Sequence, residues 1–469
     1  MKTIKAPIIQ KFQNHTFLNL TVKTSNLRKI IGDYYPLLAI LIAYLLVALS
    51  AGPYENGDTA WELDSVSGVL KYGLPYSNGS YLIDQPPLGF YIQAAFAKTV
   101  GLSINNGTFL VTLFGLGCVT LVYGIGNAAY NKTTGFFAGL LFALSPWHMV
   151  ISRSFLIDVP CLFFSLFSVF LGLIAVQKSS LKLFVFSGLA FAAAFNTKLY
   201  AVFTLISLLA LFLRYSPKKP MKILLWLGAF SIPVLVTSFL WYEIVADIGM
   251  TSLFLHPDFF IPLPTDVAAT YFFATNFLVS YGLGWFLIDA AVFSLIVCIL
   301  QRHLLRNFLF FDAVSVAVIV CVIAVNVFLG AGLHLRAPFQ NAFKYNYQAL
   351  PFFCFLAGSV VSKSVSMIAV GWSKKRGALI GGLFGFILVA ATLLYNVRYV
   401  QFFTMWEYLI FRVAPNITAG YSLFNASPLV QSSPLLVVQF IGFAVAISGI
   451  LWVARHRIVA LVAFLRRRS

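Results

Sequence analysis

Five short stretches hold most of the side chains in this sequence that are able to do chemistry. The first reads Pro53-Tyr-Glu-Asn-Gly-Asp58-Thr-Ala-Trp-Glu62-Leu-Asp64-Ser65 and runs on to Lys71-Tyr-Gly73. The second is Asp84-Gln85-Pro86-Pro87-Leu88-Gly89, and the third is Arg153-Ser-Phe-Leu-Ile-Asp158-Val-Pro160. The fourth is Asn196-Thr197-Lys198, and the fifth runs from His334-Leu-Arg336 to Lys344-Tyr345-Asn346-Tyr347. Carboxylates dominate the first, cations the last two, and the third holds one of each. Lys and Arg are the residues that hold a phosphate, and a nearby carboxylate is a general base for a hydroxyl. The set therefore suits a lipid phosphate held beside a carboxylate that acts as general base.

Each stretch also has a plainer reading from its pattern. Asp58 is placed to cap a helix, and Glu62 to lie on a solvated face. Asp58, Glu62 and Ser65 share one side of a helical wheel, Leu63, Val66 and Leu70 another, and Gly73 is a C-terminal stop. This predicts an amphipathic helix on a membrane surface, its carboxylates turned from the lipid. Pro86 and Pro87 fix the backbone beside Gln85. Asp158 is expected at the N-cap of a helix with Pro160 in its first turn. Lys198 sits in a minimal turn between apolar runs, where it either snorkels to water or meets an anion. The tyrosines around Lys344 also fit an interfacial aromatic belt.

The elements that must position these residues are membrane helices. Of 469 residues, 60% are hydrophobic and only 10% charged, with a mean hydropathy of +0.90. Those values exclude a soluble enzyme, a disordered chain and a coiled coil. Continuous apolar runs of about 20 residues exclude an outer-membrane barrel, whose strands alternate. Twelve spans are predicted, near 34–52, 108–130, 135–147, 158–177, 183–196, 199–213, 223–243, 280–301, 310–332, 348–365, 377–396 and 434–455. Residues 1–33 form a basic cytoplasmic segment without a cleavable signal pattern, 34–455 one membrane domain, and 456–469 a basic cytoplasmic tail.

The formal charge of +18 does not indicate nucleic acid, because the cations cluster between spans. With the N-terminus inside, twenty-four of the thirty-two basic residues fall on the inner side, as the positive-inside rule requires. Lys363 is counted there, with Asp312 near the same face, and Asp289 is the acid read as lying well inside a span. All five stretches then face outward, the largest outer loop being 53–107. Sequons at Asn78, Asn106, Asn416 and Asn425 lie on the same side. The five cysteines occur in apolar runs without a C-x-x-C and read as small buried hydrophobes.

In order, these motifs resemble those of the GT-C glycosyltransferases that use polyprenyl-phosphate sugars, in particular the protein O-mannosyltransferase and aminoarabinose transferase branch. The resemblance covers about residues 30–360. It implies an all-α polytopic bundle of about twelve transmembrane helices, with the amphipathic helix of the first outer loop beside the membrane. It further implies Asp58 as catalytic base, Asp158 orienting the acceptor or a cation, and Lys198, Arg153, Lys344 and Arg336 on the donor phosphate. Glu62, Gln85 and Tyr345 would support the acceptor or the loop. Gln85 stands where the family usually has Lys or His, and Thr59 where relatives often have a second acid.

The partners implied are a polyprenyl-phosphate sugar, a hydroxyl acceptor on protein, glycan or lipid, and membrane lipid. The place implied is a plasma or endoplasmic reticulum membrane, with the site on the outer or lumenal face. A divalent cation between Asp58 and Asp158 is an open alternative, since two carboxylates alone do not specify a metal. The competing functions are a multi-span transporter or flippase of a lipid-linked or small anionic substrate, and a non-catalytic scaffold. The topology has a direct check. Cysteines introduced in 244–279 should react with an impermeant maleimide from outside and those in 214–222 should not; the reverse pattern overturns the orientation.

Overall fold

The computed structural model describes residues 24–51, 53, 58–77, 80–81, 85–215, 220–247, 283–302, 305–328, 346–373, 376–399, 438 and 441–453. The first long helix, α1 (Thr24–Ala51), begins ten residues before its predicted span and carries Pro36 within it. Next come α2 (Thr59–Tyr72) and a two-residue antiparallel hairpin, β1 (Tyr76–Ser77) with β2 (Ser80–Tyr81), which the sequence reading did not contain. The chain continues through α3 (Leu88–Val100), α4 (Ile104–Ala129), α5 (Lys132–Ala143), α6 (Pro146–Ile151), α7 (Asp158–Lys178) and α8 (Leu181–Thr197). A 3-10 turn at Leu199–Phe203 leads into α9 (Thr204–Tyr215) and then α10 (Pro220–Asp247). Then follow α11 (Trp285–Leu300), α12 (Arg306–Phe328), a 3-10 turn at Asn346–Ala349, α13 (Leu350–Ser373), α14 (Arg376–Tyr399) and α15 (Ile441–Val453).

Every predicted span carries a helix, and the protein is an integral, multi-pass membrane protein. Among the described residues six helices are long and apolar enough to cross a membrane, with five shorter apolar helices beside them. The third predicted span is corrected. At 12 residues α5 is about 18 Å long, short of a hydrocarbon core of about 30 Å. The chain breaks at Leu144 and Ser145 and resumes as α6. With apolar residues on all sides, α5 has no face to give to solvent, and Thr133 to Ala143 are all buried. It lies between α4 and α13 at the centre of the core, where Phe136, Leu140 and Phe142 meet Tyr44, Val119 and Ala357. On the outside of the bundle stand large apolar side chains such as Leu224, Leu235 and Leu394, as lipid-facing helices require.

Charge placement differs from the sequence reading at one point. Lys363, counted among the inner loop cations, is fully buried along α13 and pairs with Asp312 of α12. Asp289, read as the acid well inside a span, lies in the second turn of α11 with its side chain exposed on the bundle surface. The cysteine reading holds: all five thiols are free, four of them buried and Cys321 half-buried.

One end of the bundle is closed by α2, α3 and the turn between α6 and α7. Val66, Phe90, Ala94, Phe155 and Ile157 form a small core there, flanked by Trp61, Leu63, Val69 and Leu70. Phe155 lies flat on α4 because residue 107 is glycine: a Cβ at that position would stand 1.7 Å from a Phe155 ring carbon. Gly107→Ala should therefore lower stability by about 1–3 kcal/mol through overpacking, measured as the thermal midpoint in detergent. Phe155→Leu in the same chain should recover part of the loss; a Gly107→Ala variant as stable as the parent would contradict this packing.

Candidate functional site

The site end is built by bringing sequence-distant motifs against one turn. Residues 152–157 leave α6 and enter α7, and Ile157 is the N-cap of α7. Asp158 is thus the first helical residue rather than the expected cap. No side chain of Ile157 can satisfy the helix N-terminus, and a residue of α2 does so instead. Glu62, 2% exposed, accepts the Ile157 backbone N–H on Oε1 at 3.4 Å. The negative carboxylate also lies favourably at the positive end of the helix. The solvated-face alternative for Glu62 is therefore replaced by a docked one: Thr59, Glu62, Ser65, Val66 and Gly68 form the buried side of α2.

Asp58 stands at the N-cap of α2, its side chain makes no capping hydrogen bond, and its carbonyl accepts the Glu62 N–H at 2.8 Å. Capping therefore does not account for an acid at this position. One helical turn, about 6 Å along the axis, separates it from the Glu62 anchor. The far end of α2 stops where sequence reading placed it, at Gly73 with φ 81°. The Tyr91 hydroxyl of α3 donates to the Gly73 carbonyl at 2.8 Å, and burial raises the pKa of that phenol.

The Pro-Pro-Leu motif starts α3, with Pro87 as its N-cap. Two residues on, Gly89 presses on both the Ile157 and the Thr197 side chains; a Cβ here would lie 2.6 Å from Ile157 Cγ2 and 3.1 Å from Thr197 Cγ2. Three of the five motifs therefore meet at this glycine. Gln85, just before the prolines, is half-buried and its Oε1 has no hydrogen-bond partner among the described residues.

Asp158 and Lys198 form the centre of the site. Lys198 Nζ donates to both carboxylate oxygens of Asp158 at 2.8 Å, and each residue is 3% exposed. Lys198 does not snorkel. It ends α8 in an extended conformation and turns back under α7, its Nζ 5.8 Å from the centre of the Tyr200 ring. Its carbonyl accepts from the Cys161 thiol at 3.6 Å, and Gln348 Nε2 donates to the same sulfur at 3.6 Å. The fifth motif thus reaches the pair through its final residues, Asn346 to Gln348, all buried.

Two participants lie outside the residues singled out as site candidates. Tyr347 OH and His148 Nδ1 are 2.6 Å apart, and the His148 ring stacks on Tyr44 at 5.2 Å and against Phe142 at 4.1 Å. His148 sits in an apolar-looking run, Trp147-His-Met-Val, and a lone histidine on a buried helix was the signal available for it. Arg153, 1% exposed, donates from Nε to the Met149 carbonyl at 2.8 Å and is buried rather than at a surface. Arg336, Lys344 and Tyr345 lie outside the described residues.

Both Asp158 oxygens are engaged by an ammonium, and among the described residues no three His, Cys, Asp or Glu side chains come together as ligands.

Comparison with known proteins fits this architecture. The family model described as dolichyl-phosphate-mannose-protein mannosyltransferase matches residues 84–242, from the Pro-Pro-Leu motif into α10. The Bacillus subtilis protein YkcB, whose description as a mannosyltransferase is provisional, is 24% identical over 182 residues, 36% of this chain and 25% of its own length. YycA of the same organism, described likewise, is 26% identical over 194 residues, 39% of this chain and 28% of its own. The matched stretch thus spans about a quarter of each curated relative. ArnT from Cupriavidus metallidurans superposes with a TM-score of 0.53 at 15% identity, over 89% of this chain and 77% of that one. The values are the same for the ArnT structure bound to undecaprenyl phosphate.

The capping alternative for Asp58 has a thermodynamic test. Loss of a real N-cap costs about 1 kcal/mol, so Asp58→Ala should shift unfolding by less than about half that. Glu62→Ala should cost about 1–3 kcal/mol by stranding the Ile157 N–H. The opposite order in chemical denaturation would return Asp58 to a structural role.

Proposed function

We propose that this chain, whose fold is that of the GT-C glycosyltransferases, moves a sugar from a polyprenyl-phosphate donor to an acceptor hydroxyl on the outer or lumenal face of its membrane. The observation that carries the reading is the buried Asp158–Lys198 pair beneath a helix whose opening acid, Asp58, does no capping. Charge grows on the departing lipid phosphate as the glycosidic bond breaks, so cations held in a low-dielectric site stabilise the transition state more than the ground state.

In this reading Asp58 takes the proton of the acceptor hydroxyl, whose oxygen displaces the lipid phosphate from the anomeric carbon with inversion. Lys198 supplies positive charge to the phosphate, and Asp158 is a positioning residue that aims Lys198. The cation that Asp158 orients is thus a side chain, and no metal step is included. Lys344 and Arg336 are assigned to the phosphate as well. Arg153 acts through its charge, because its guanidinium is buried. Glu62 holds α2, and with it Asp58, over the site. Gln85 and Tyr345 are assigned to support of the loop and acceptor.

The test is release of lipid phosphate by purified protein in liposomes, offered a panel of polyprenyl-phosphate monosaccharides with hydroxyl acceptors. The wild type should release phosphate with at least one donor. Asp58→Asn should lower turnover at least about 100-fold, the size of a lost general base, with an unchanged thermal midpoint. Retained turnover in Asp58→Asn removes Asp58 as base. A folded wild type that neither binds nor cleaves any member overturns the donor class.

A further inference from the structure

At the far end of the bundle from Asp158 lies a second buried charge pair that the proposed chemistry does not use. Lys363 of α13 and Asp312 of α12 are both fully buried and form an ion pair. Lys363 Nζ also donates to Ser294 Oγ of α11 and, at 3.1 Å, to the Ser294 carbonyl. The Tyr130 hydroxyl, just past α4, donates to Asp312 Oδ1 at 3.1 Å. Ser294 and Ser359 share a hydroxyl hydrogen bond at 2.7 Å, and Ser359 also donates to the Leu356 carbonyl. One helical turn away, Ser362 donates to Asn131 Oδ1 at 3.0 Å, the same oxygen that caps α5 through the Thr134 N–H. Phe308 faces the ammonium at 5.7 Å and packs on Tyr130.

An ammonium has three donors, and all three are used within the protein. Asp312 is met on both oxygens. The cluster is therefore closed and leaves no coordination for an ion or substrate. An isolated charge at such depth is costly; this one has partners fixed on two other helices and a turn. It joins two parts of the chain: Tyr130 and Asn131 lie within the stretch matched by the family model, while Ser294, Asp312 and Lys363 lie beyond it. Lys363 is also 13 residues along α13 from Leu350, about 20 Å of continuous helix. At the near end of that helix Tyr347 and Gln348 touch His148 and Cys161.

We infer that the Lys363–Asp312 cluster is a register lock. It fixes the axial and rotational position of α13 against α4, α5, α11 and α12, and so holds the Asn346–Ala349 turn on the site at the opposite end. Simple stabilisation would be served equally well by apolar residues, since a buried pair is often no more stable than a hydrophobic replacement. What directional pairing adds is a single register.

The test separates register from stability without using catalytic activity. Lys363→Met strands the Asp312 carboxylate and should lower the thermal midpoint by about 5 °C or more. The double variant Lys363→Met/Asp312→Leu should return to within about 2 °C of the parent by removing both charges. In that stable double variant N-ethylmaleimide should modify Cys161, the thiol under Gln348, at least about fivefold faster than in the parent. Mass mapping of Cys118 provides the internal control, and its rate should not change. If the single variant is as stable as the parent, the pair is no lock. If the double variant stays as unstable as the single, it is no unit. Full protection of Cys161 in a stable double variant, or equal acceleration at Cys118, overturns the register role. Failure of Lys363→Met to fold while the double variant folds is the expected coupling in its strongest form.

Discussion

A charge placed among apolar helices must find its counter-charge within the protein, because neither lipid nor the packed core supplies one. That requirement shapes both ends of this bundle. At one end Lys198 is drawn off the end of α8 and back under α7, so that its ammonium meets both oxygens of Asp158. At the other, Lys363 draws α11, α12 and the turn after α4 around a single ammonium. Each pair ties together elements that the chain alone leaves independent. Between them, packing is the work of small and aromatic side chains around α5, which has no polar face to direct it.

The two pairs differ in what surrounds them. Lys363 and Asp312 are enclosed by hydroxyls and by Phe308, a closed set. Lys198 and Asp158 lie under α2 and α3, which meet the body through a small core and a hydrogen bond from Ile157 to Glu62 and are tied to each other by one from Tyr91 to Gly73.

Much of this was legible before any coordinates. The apolar runs marked the helices, Gly73 marked the end of α2, and the five motifs marked the segments that would converge. Misreadings have a common cause. Local patterns rank a carboxylate at a helix start as a cap and one on a polar stripe as solvated, since those are its cheapest local fates. Asp58, Glu62 and Asp158 each departed from that ranking because a partner far along the chain, or the absence of a capping geometry, decided the matter. Lys363 was counted with loop cations for the same reason: its neighbours in sequence include the basic run at 374–376, while its partner lies 51 residues earlier.

By itself the sequence determined that this chain lives in a membrane, where its helices run, and which residue types gather near their ends. Those are one-dimensional properties, set by the cost of placing polar groups in hydrocarbon and by backbone preferences at Gly and Pro. Which carboxylate meets which cation was decided only by the tertiary structure. An ion pair depends on a few ångströms between side chains 40 or 51 residues apart, and no local pattern encodes that separation. The same holds for His148 and Tyr347, joined across 199 residues: their hydrogen bond exists because α6 and the turn before α13 are packed against one core.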